Sequence, residues 1–302
     1  MSEVGFGPLE RVDGPPPIAP LYGLLQAAEA PAAGVRIVPD TDDKGIERWL
    51  NGVEVYPYPP DLGDVFDPCA PGTFGTTKGF GLEVPHPQFG GMTVWLAETC
   101  TASKVWDQDG FKARAVVALS AVESAAIAHE LMTGERMPLN PHFSDGEGSF
   151  PNGNAVTSIV NGLAMLEDEI ARTGKLGLIH CTPGTVTLMR ERFTVDSKTG
   201  VIRTINGNVV IPDAGYVDGA TPAGHPDPGA NQEWIYATGP IDVRRSEMFT
   251  LPETVAEALD RGMGATNGKT NAITYRVERY YVVDWDTVLQ AAVLVDRCST
   301  DC

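Results

Sequence analysis

Residues 110–134, GFKARAVVALSAVESAAIAHELMTG, hold no proline and no internal glycine, and their reading decides how the rest of the chain is organised. Alanine and long unbranched side chains dominate, and both favour helix. Asp109 is placed to cap the start, and Gly134 to supply the left-handed residue past the end. About 23 residues rising ~1.5 Å each make a rod of roughly 35 Å. Val116, Leu119, Val122, Ala126 and Met132 lie near one stripe, with Glu123, His129 and Glu130 available for polar contacts. Alone, the segment describes the core helix of a globular domain. As a structural spine it needs partners elsewhere in the chain.

Composition sets the limits. The 302 residues are enough for two compact domains or one elaborated one, and 42% apolar with 21% charged is the balance of a folded protein. The 24 prolines and 33 glycines predict much irregular, extended chain. Net charge is −18, which argues against a sequence-specific nucleic-acid reader and against anionic membranes. No apolar run is read as a bilayer span, and MSEVGFGPLERVDG lacks the basic-then-apolar order of a secretory signal. Cys69, Cys100, Cys181, Cys298 and Cys302 are odd in number and widely spaced, the usage of reduced thiols. CSTDC at 298–302 is a weak metal signal.

Outward from the helix, residues 1 to about 45 read as an extended arm, with PPPIAP at 15–20 in polyproline II and a short helix around Tyr22–Glu29. Scattered Ile18, Leu21, Leu24 and Leu25 fit an arm that packs on a neighbour. IERWLNGVEVY (46–56) reads as a hairpin with a type I′ turn at Asn51-Gly52. The following YPYPPDLGDVFDPCAPGTFGTTKGFG is too long for a plain connection, so it reads as a projecting loop or one ordered by a partner. MTVWLAETC (92–100) is a strand, apolar on both faces.

Beyond the helix, residues 140–154 read as a polar loop. Asn154 is placed to cap a helix over 155–173, closed by Gly174, with Val156, Ile159, Val160, Leu163, Leu166 and Ile170 at helical spacing. LGLIHC (176–181) is a buried strand, and Pro183 opens a short helix through Arg192, making a small α/β layer. Two extended pieces flank Asn206-Gly207-Asn208, and 212–232 is a glycine- and proline-rich loop. WIYATGPIDVR (234–244) reads as an edge or kinked strand because of Pro240. Thr250-Leu251-Pro252-Glu253 is a capping box opening a helix to about Arg261. AITYRVERYYVVDW (272–285) alternates strictly, and 288–295 is expected to pair back on it as a long ribbon crossed by the 110–134 helix.

A catalytic centre does not emerge. None of His86, His129, His142, His180 and His225 belongs to an HExxH pair; His129-Glu130 lacks a second ligand four residues on. No GxSxG elbow is present, GATNGKT (264–270) misses the first glycine of a phosphate loop, and GDVFDP and PDAGYVDG do not match an EF-hand. His180, Cys181 and Asp213 are the least weak enzyme candidates, with a packed core pair the better reading for His180-Cys181. Trp49, Trp95, Trp106, Trp234 and Trp285, in or beside strands, read as core or interface anchors. The sequence therefore assigns no catalytic, cofactor-binding or metal residue, and no cofactor.

The order of parts is more informative. GNAVTSIVNGLAMLEDEIA, LGLIHCTPGTVTLM, RTINGNVVIPDAGYVDG, EWIYATGPIDVRR and ITYRVERYYVVDWDTVLQAAVLVD together resemble HK97-fold major capsid proteins of tailed, actinobacterial-type bacteriophages and their encapsulin relatives, over roughly 110–302. The resemblance implies an α+β HK97-like capsid fold. It implies an extended N-terminal arm at 1–49 and an E-loop region at 50–109. It implies a peripheral domain with the spine helix at 110–154, an axial domain at 155–249, and a peripheral return of helix and long β-hairpin at 250–302. The 212–232 loop would then lie at the capsomer centre or on an exposed surface. Lys78 falls in the implied E-loop, but no acceptor asparagine or acid is identifiable, so cross-linking is not carried over.

The implied function is a structural one: self-assembly through hexamers and pentamers into an icosahedral virion shell, formed in the bacterial host cytoplasm. The shell would enclose double-stranded DNA without sequence-specific binding, and would not engage a membrane. Portal, scaffold and decoration proteins are the further candidate partners. Extended arms bury little area within one subunit and become ordered when shared across large interfaces. Three other readings stand beside this one: a tail-tube or connector protein, an encapsulin-type compartment, and a soluble enzyme using His180, Cys181 and Asp213.

Overall fold

The computed structural model describes residues 15–30, 33–39, 48–57, 86–101, 108–216, 220–251 and 272–298. The expected helix after Thr250, the GATNGKT run, Lys78, Cys69, Cys302, Trp106 and most of the projecting loop lie outside these residues. In chain order the helices are α1 (Leu24–Glu29), α2 (Gln108–Thr133), α3 (Ile159–Arg172) and α4 (Pro183–Leu188). The strands are β1 (Val35–Ile37), β2 (Val53–Glu54), β3 (Gln88–Phe89), β4 (Met92–Thr101), β5 (Thr157–Ser158), β6 (Leu178–Cys181) and β7 (Phe193–Val195). They continue with β8 (Ile202–Thr204), β9 (Val209–Pro212), β10 (Gln232–Thr238), β11 (Ile241–Arg245), β12 (Phe249–Leu251), β13 (Ala272–Trp285) and β14 (Gln290–Asp296).

The long helix is present and slightly longer than expected. It starts at Gln108, so Asp109 sits inside the first turn, where its charge still suits the helix N-terminus. Gly134 takes φ +59° past the last turn, a conformation that favours glycine. The buried stripe is Phe111, Ala115, Leu119, Glu123, Ile127 and Leu131. Steps of four residues advance about 40° beyond a full turn each time, so the stripe winds around the helix. Val122, expected on that stripe, is 46% exposed, and Ala126 is exposed too. By length and apolar content Asp109–Thr133 also meets the requirement for crossing a membrane, so the expectation that no apolar run is long enough does not hold. Its buried face is already filled by side chains of its own chain.

The chain forms two units. One comprises 1–19, 96–121 and 250–277; its buried side chains include Phe111, Ala115, Leu119, Tyr275 and Val277. Within it Arg114 pairs with Glu98 at 3.1 Å and the Thr99 and Thr274 hydroxyls meet at 3.0 Å.

The other unit comprises 20–95, 122–249 and 278–302. Its centre is a seven-stranded sheet ordered β5-β14-β10-β6-β9-β8-β7. Alternate residues serve two separate cores. Trp234, Tyr236, Ala292, Leu294, Val209 and Ile211 face one core with α1 and the end of α2. Ile235, Ala237, Val293, Val295 and Val210 face the other with α3. A sheet covered on both faces needs strands that are buried on both, as β6, β9 and the middle of β10 and β14 are, with His180, Glu233 and Thr238 as hydrogen-bonded polar exceptions.

That double coverage overturns two expectations. β14 pairs with β10, Trp234 opposite Leu294, and not with β13. β13 instead joins β11, β12 and β4 in a five-stranded sheet. An apolar strand on both faces is worth most between two covered faces, which a ribbon partner would not provide. Likewise 234–244 is two strands broken at Gly239-Pro240: β10 is central in one sheet and β11 lies in the other. Proline sits in the break, where no ladder hydrogen bond is lost.

Smaller corrections have local causes. Residues 48–51 make a 3₁₀ turn, and β2 pairs with β3, Val53 opposite Phe89, so the hairpin at Asn51-Gly52 does not form. Ser158 caps α3 through the Asn161 amide; Asn154 is used by His225 instead, and Val156 is exposed. β4 alternates half-buried and exposed residues, with Trp95 on the open face at 59% exposure. The 140–154 loop is not wholly polar, since Phe143 is 1% exposed.

Candidate functional site

Three sequence candidates share one neighbourhood of the larger unit. His180 and Cys181 are consecutive on β6, so their side chains leave opposite faces of the strand. His180 lies against Phe143, ring centroids 4.6 Å apart, while Cys181 belongs to the core under α3. They cannot act as a dyad.

His180 is wholly buried. Its Nε2 is 2.8 Å from the Thr238 hydroxyl and its Nδ1 2.9 Å from the Tyr216 hydroxyl. Thr238 spends its one proton on the Gly239 carbonyl at 3.0 Å, so it accepts from Nε2–H, and Nδ1 accepts from Tyr216. Burial lowers the imidazole to about 3, which keeps this neutral tautomer. Burial, with the nearby Glu233 carboxylate, pushes the Cys181 thiol up, away from the nucleophilic thiolate.

Asp213 is 2% exposed and works as a clamp. Its Oδ2 accepts from the Leu24 amide and the Ser124 hydroxyl, both at 2.9 Å, and its Oδ1 from the Gly215 amide at 2.9 Å. It thereby joins the start of α1, the middle of α2 and the turn after β9. Gly215 lies close against α2: a Cβ there would stand 2.1 Å from the Ala125 carbonyl oxygen. No substrate-accessible proton acceptor or nucleophile remains in this cluster.

The remaining histidines are also occupied. His129 reaches Glu135 at 3.2 Å, His142 the Asn140 carbonyl at 3.1 Å, and His225 the Asn154 side chain at 2.6 Å. His86 rests on Tyr56, centroids 4.2 Å apart. Among the described residues no group of His, Cys, Asp or Glu is assembled to hold a metal.

A groove of about 1060 Å³ is lined by Ala33, Val35, Val55, Tyr56 and Trp285 and by charged side chains. Its charges satisfy one another. Arg36 grips Asp242 with two bonds of 2.5 and 2.8 Å, Arg244 pairs with Asp284, and Arg245 reaches Glu29 at 3.1 Å. Asp242 and Asp284 stand directly opposite on β11 and β13, an unfavourable pairing that the arginines offset. Burial raises Asp284 to about 6, with Arg244 opposing and Asp242 adding to the shift.

Two further polar centres are buried: Glu123, named from sequence as available for polar contacts, and Glu233, which sequence reasoning missed. Glu123 on α2 is 6% exposed and accepts from Arg279 Nη1 at 3.1 and 3.2 Å and from the Tyr281 hydroxyl at 2.7 Å. Glu233 on β10 is 8% exposed and accepts from Thr182 at 2.9 Å and from Thr185. The only signal for Glu233 was a carboxylate at the head of an apolar strand. Both carboxylates fasten a helix to a strand.

No family model matches the chain, and no curated protein matches it in sequence. Solved structures do. The capsid of a native GTA particle aligns over 97% of this chain and 96% of its own, at 10% identity and a TM-score of 0.54. The capsid of an empty GTA particle aligns over 97% and 95%, at 10% identity and 0.52. A capsid chain of cyanophage Pam1 aligns over 99% and 100%, at 10% identity and 0.48. The similarity in fold runs nearly end to end while sequence identity is at background. With its long helix, five-stranded sheet and two-faced seven-stranded sheet, the chain has an α+β, HK97-like capsid fold, shared with the GTA capsid chains.

Proposed function

We propose that this chain is a structural capsid subunit that self-assembles into an icosahedral phage shell around double-stranded DNA. The observation that carries the reading is the end-to-end fold match to GTA capsid subunits. A second support is chemical: the polar clusters at His180, Asp213, Glu123 and Glu233 each tie elements of the fold together and offer nothing to a substrate. That favours a mechanical role over an enzymatic one.

Within this reading, 1–49 is the arm, 50–109 the E-loop region, 110–154 and 250–302 the peripheral domain, and 155–249 the axial domain. The chain's partners are further copies of itself in hexamers and pentamers, with portal, scaffold or decoration proteins joining the shell. Its place is the virion, after assembly in the host cytoplasm. Net charge of −18 suits a wall that confines DNA without gripping it.

Negative-stain electron microscopy of the purified chain, alone and co-expressed with neighbouring genes, tests the proposal. Closed shells tens of nanometres across are expected. Nuclease-resistant DNA inside them separates a capsid from a protein-filled compartment. Tubes or stacked rings would favour a tail component, and a small monodisperse particle under every condition would overturn the shell.

A further inference from the structure

Charge is unevenly placed on this chain. Overall it carries −18, yet residues 172–203 contain six basic and two acidic side chains. The fold collects part of that run on one edge of the seven-stranded sheet. β7 is the edge strand, the 3₁₀ turn Arg190–Arg192 leads into it, and the hairpin to β8 carries Lys198. Arg190, Arg192 and Lys198 are exposed, and their side chains make no ion pair or hydrogen bond among the described residues. Two carboxylates share this edge: Asp196 accepts from the Lys198 and Thr199 amides, and Glu191 is exposed between Arg190 and Arg192. Leu188 and Val195, 59% and 63% exposed, lie beside the charges.

The opposite edge has the opposite sign. β5 closes the sheet there, flanked by the loops that carry Asp145, Glu147 and Asp227, while Asp296 pairs with Ser158 of β5 itself. Glu147 and Asp227 are exposed, as is Val156 next to β5. This edge is a fixed surface: His225 bonds Asn154 at 2.6 Å and stacks on Phe150 with centroids 3.8 Å apart, which locks the two loops together.

Six strand-to-strand steps of about 4.8 Å separate the two edges by roughly 29 Å. That is several times the ~8 Å over which charges sense each other at physiological salt. The two patches therefore cannot neutralise each other within one chain. An open edge strand invites pairing with another chain, but two β7 edges would bring Arg190, Arg192 and Lys198 against their own copies. The surface of complementary sign is the β5 edge of another copy.

We infer that the basic β7 edge of one copy docks on the acidic β5 edge of the next, a head-to-tail contact of the heterologous kind that closes into rings. This inference rests on the shell reading above, and supplies the contact that would order subunits around a capsomer. Leu188, Val195 and Val156 would be covered in the same step.

Charge reversal tests it. One variant carries Arg190→Glu, Arg192→Glu and Lys198→Glu; a second carries Glu147→Lys and Asp227→Lys; a third carries all five. Sedimentation velocity and electron microscopy would follow assembly at low and high salt, with circular dichroism and thermal midpoints as a check on folding. Each partial reversal is expected to lower the assembled fraction by about tenfold or more, and the five-fold variant to restore it, because the signs again match. A partial reversal that assembles within about twofold of the parent, or a five-fold variant that stays dispersed, overturns the docking. If a β7-edge reversal misfolds, Arg190→Gln with Arg192→Gln and Lys198→Gln replaces it under the same criteria. Loss of bound DNA with assembly intact would mark the basic edge as a polyanion site and also overturn the docking. If the parent chain itself never assembles, the shell reading fails before any variant is compared.

Discussion

Replacing Glu123 with alanine removes the acceptor that holds α2 to β13. Three hydrogen bonds go with it, two from Arg279 Nη1 and one from the Tyr281 hydroxyl. The Arg279 and Glu123 side chains are only 15% and 8% exposed, so the guanidinium left behind has little access to water. Burial, with the Glu123 carboxylate adding to it and Arg279 opposing, already keeps the Tyr281 hydroxyl protonated well above its usual range. It therefore remains a donor without a partner. Breaking a buried ion pair from one side costs about 3–5 kcal/mol, and the residual exposure of Arg279 places this case near the lower end. Glu123→Gln keeps one acceptor oxygen for Tyr281 and should cost about 1–2 kcal/mol. Replacing the whole group, Glu123→Leu with Arg279→Met and Tyr281→Phe, removes every polar atom at once and should recover most of the loss. Urea unfolding by tryptophan fluorescence, below the concentration at which the chain assembles, reads the difference. A 3 kcal/mol loss moves the midpoint by about 1 M if m is near 3 kcal/mol/M. A shift under about 1 kcal/mol for Glu123→Ala, or a triple variant no more stable than it, would refute the account of this contact.

Two other substitutions probe the same framework. Gly215→Ala places a methyl 2.1 Å from the Ala125 carbonyl oxygen and 2.6 Å from the His129 amide nitrogen, both helix backbone that cannot rotate away. It should cost about 3 kcal/mol, and a thermal midpoint unchanged from the parent would show that α2 is free to shift. His180 is held neutral with its pKa lowered to about 3, so its contribution to stability is complete above the unfolded value near 6.5 and is lost as pH falls from there. Between those limits the parent should lose up to about 1.4 kcal/mol per pH unit more than His180→Gln. Parallel pH profiles would contradict a buried, neutral His180.

The long helix was legible because nothing interrupts it: a run of good helix formers between Gly110 and Gly134 leaves the backbone little choice. The 272–285 strand was equally clear from its alternation, but its partner was not. QAAVLVD carries no polar face, and such a strand fits any apolar neighbour; only the covered sheet decides for β10. Pro240 was read as a flaw in one strand, when it marks where the chain leaves one sheet for another. Phe143 gave no periodic signal, being one aromatic in a turn-rich run, and its burial depends on His180, Tyr236 and Trp285 converging from other elements. The two charged edges were invisible for a related reason. Residue order shows a basic run at 172–203, but which strand ends a sheet is a property of topology, and no local pattern reports it.

The pairing of β2 with β3 is only two residues long, Val53 opposite Phe89 and Glu54 opposite Gln88. The contact runs on past the ladder: the Val55 amide bonds the Pro87 carbonyl at 3.0 Å, and the Tyr56 ring lies 4.2 Å from His86. Phe89 carries it inward to Trp285, whose ring lies 4.8 Å away in the core. A load on either short strand is therefore borne by a buried aromatic pair, and not by two ladder residues alone.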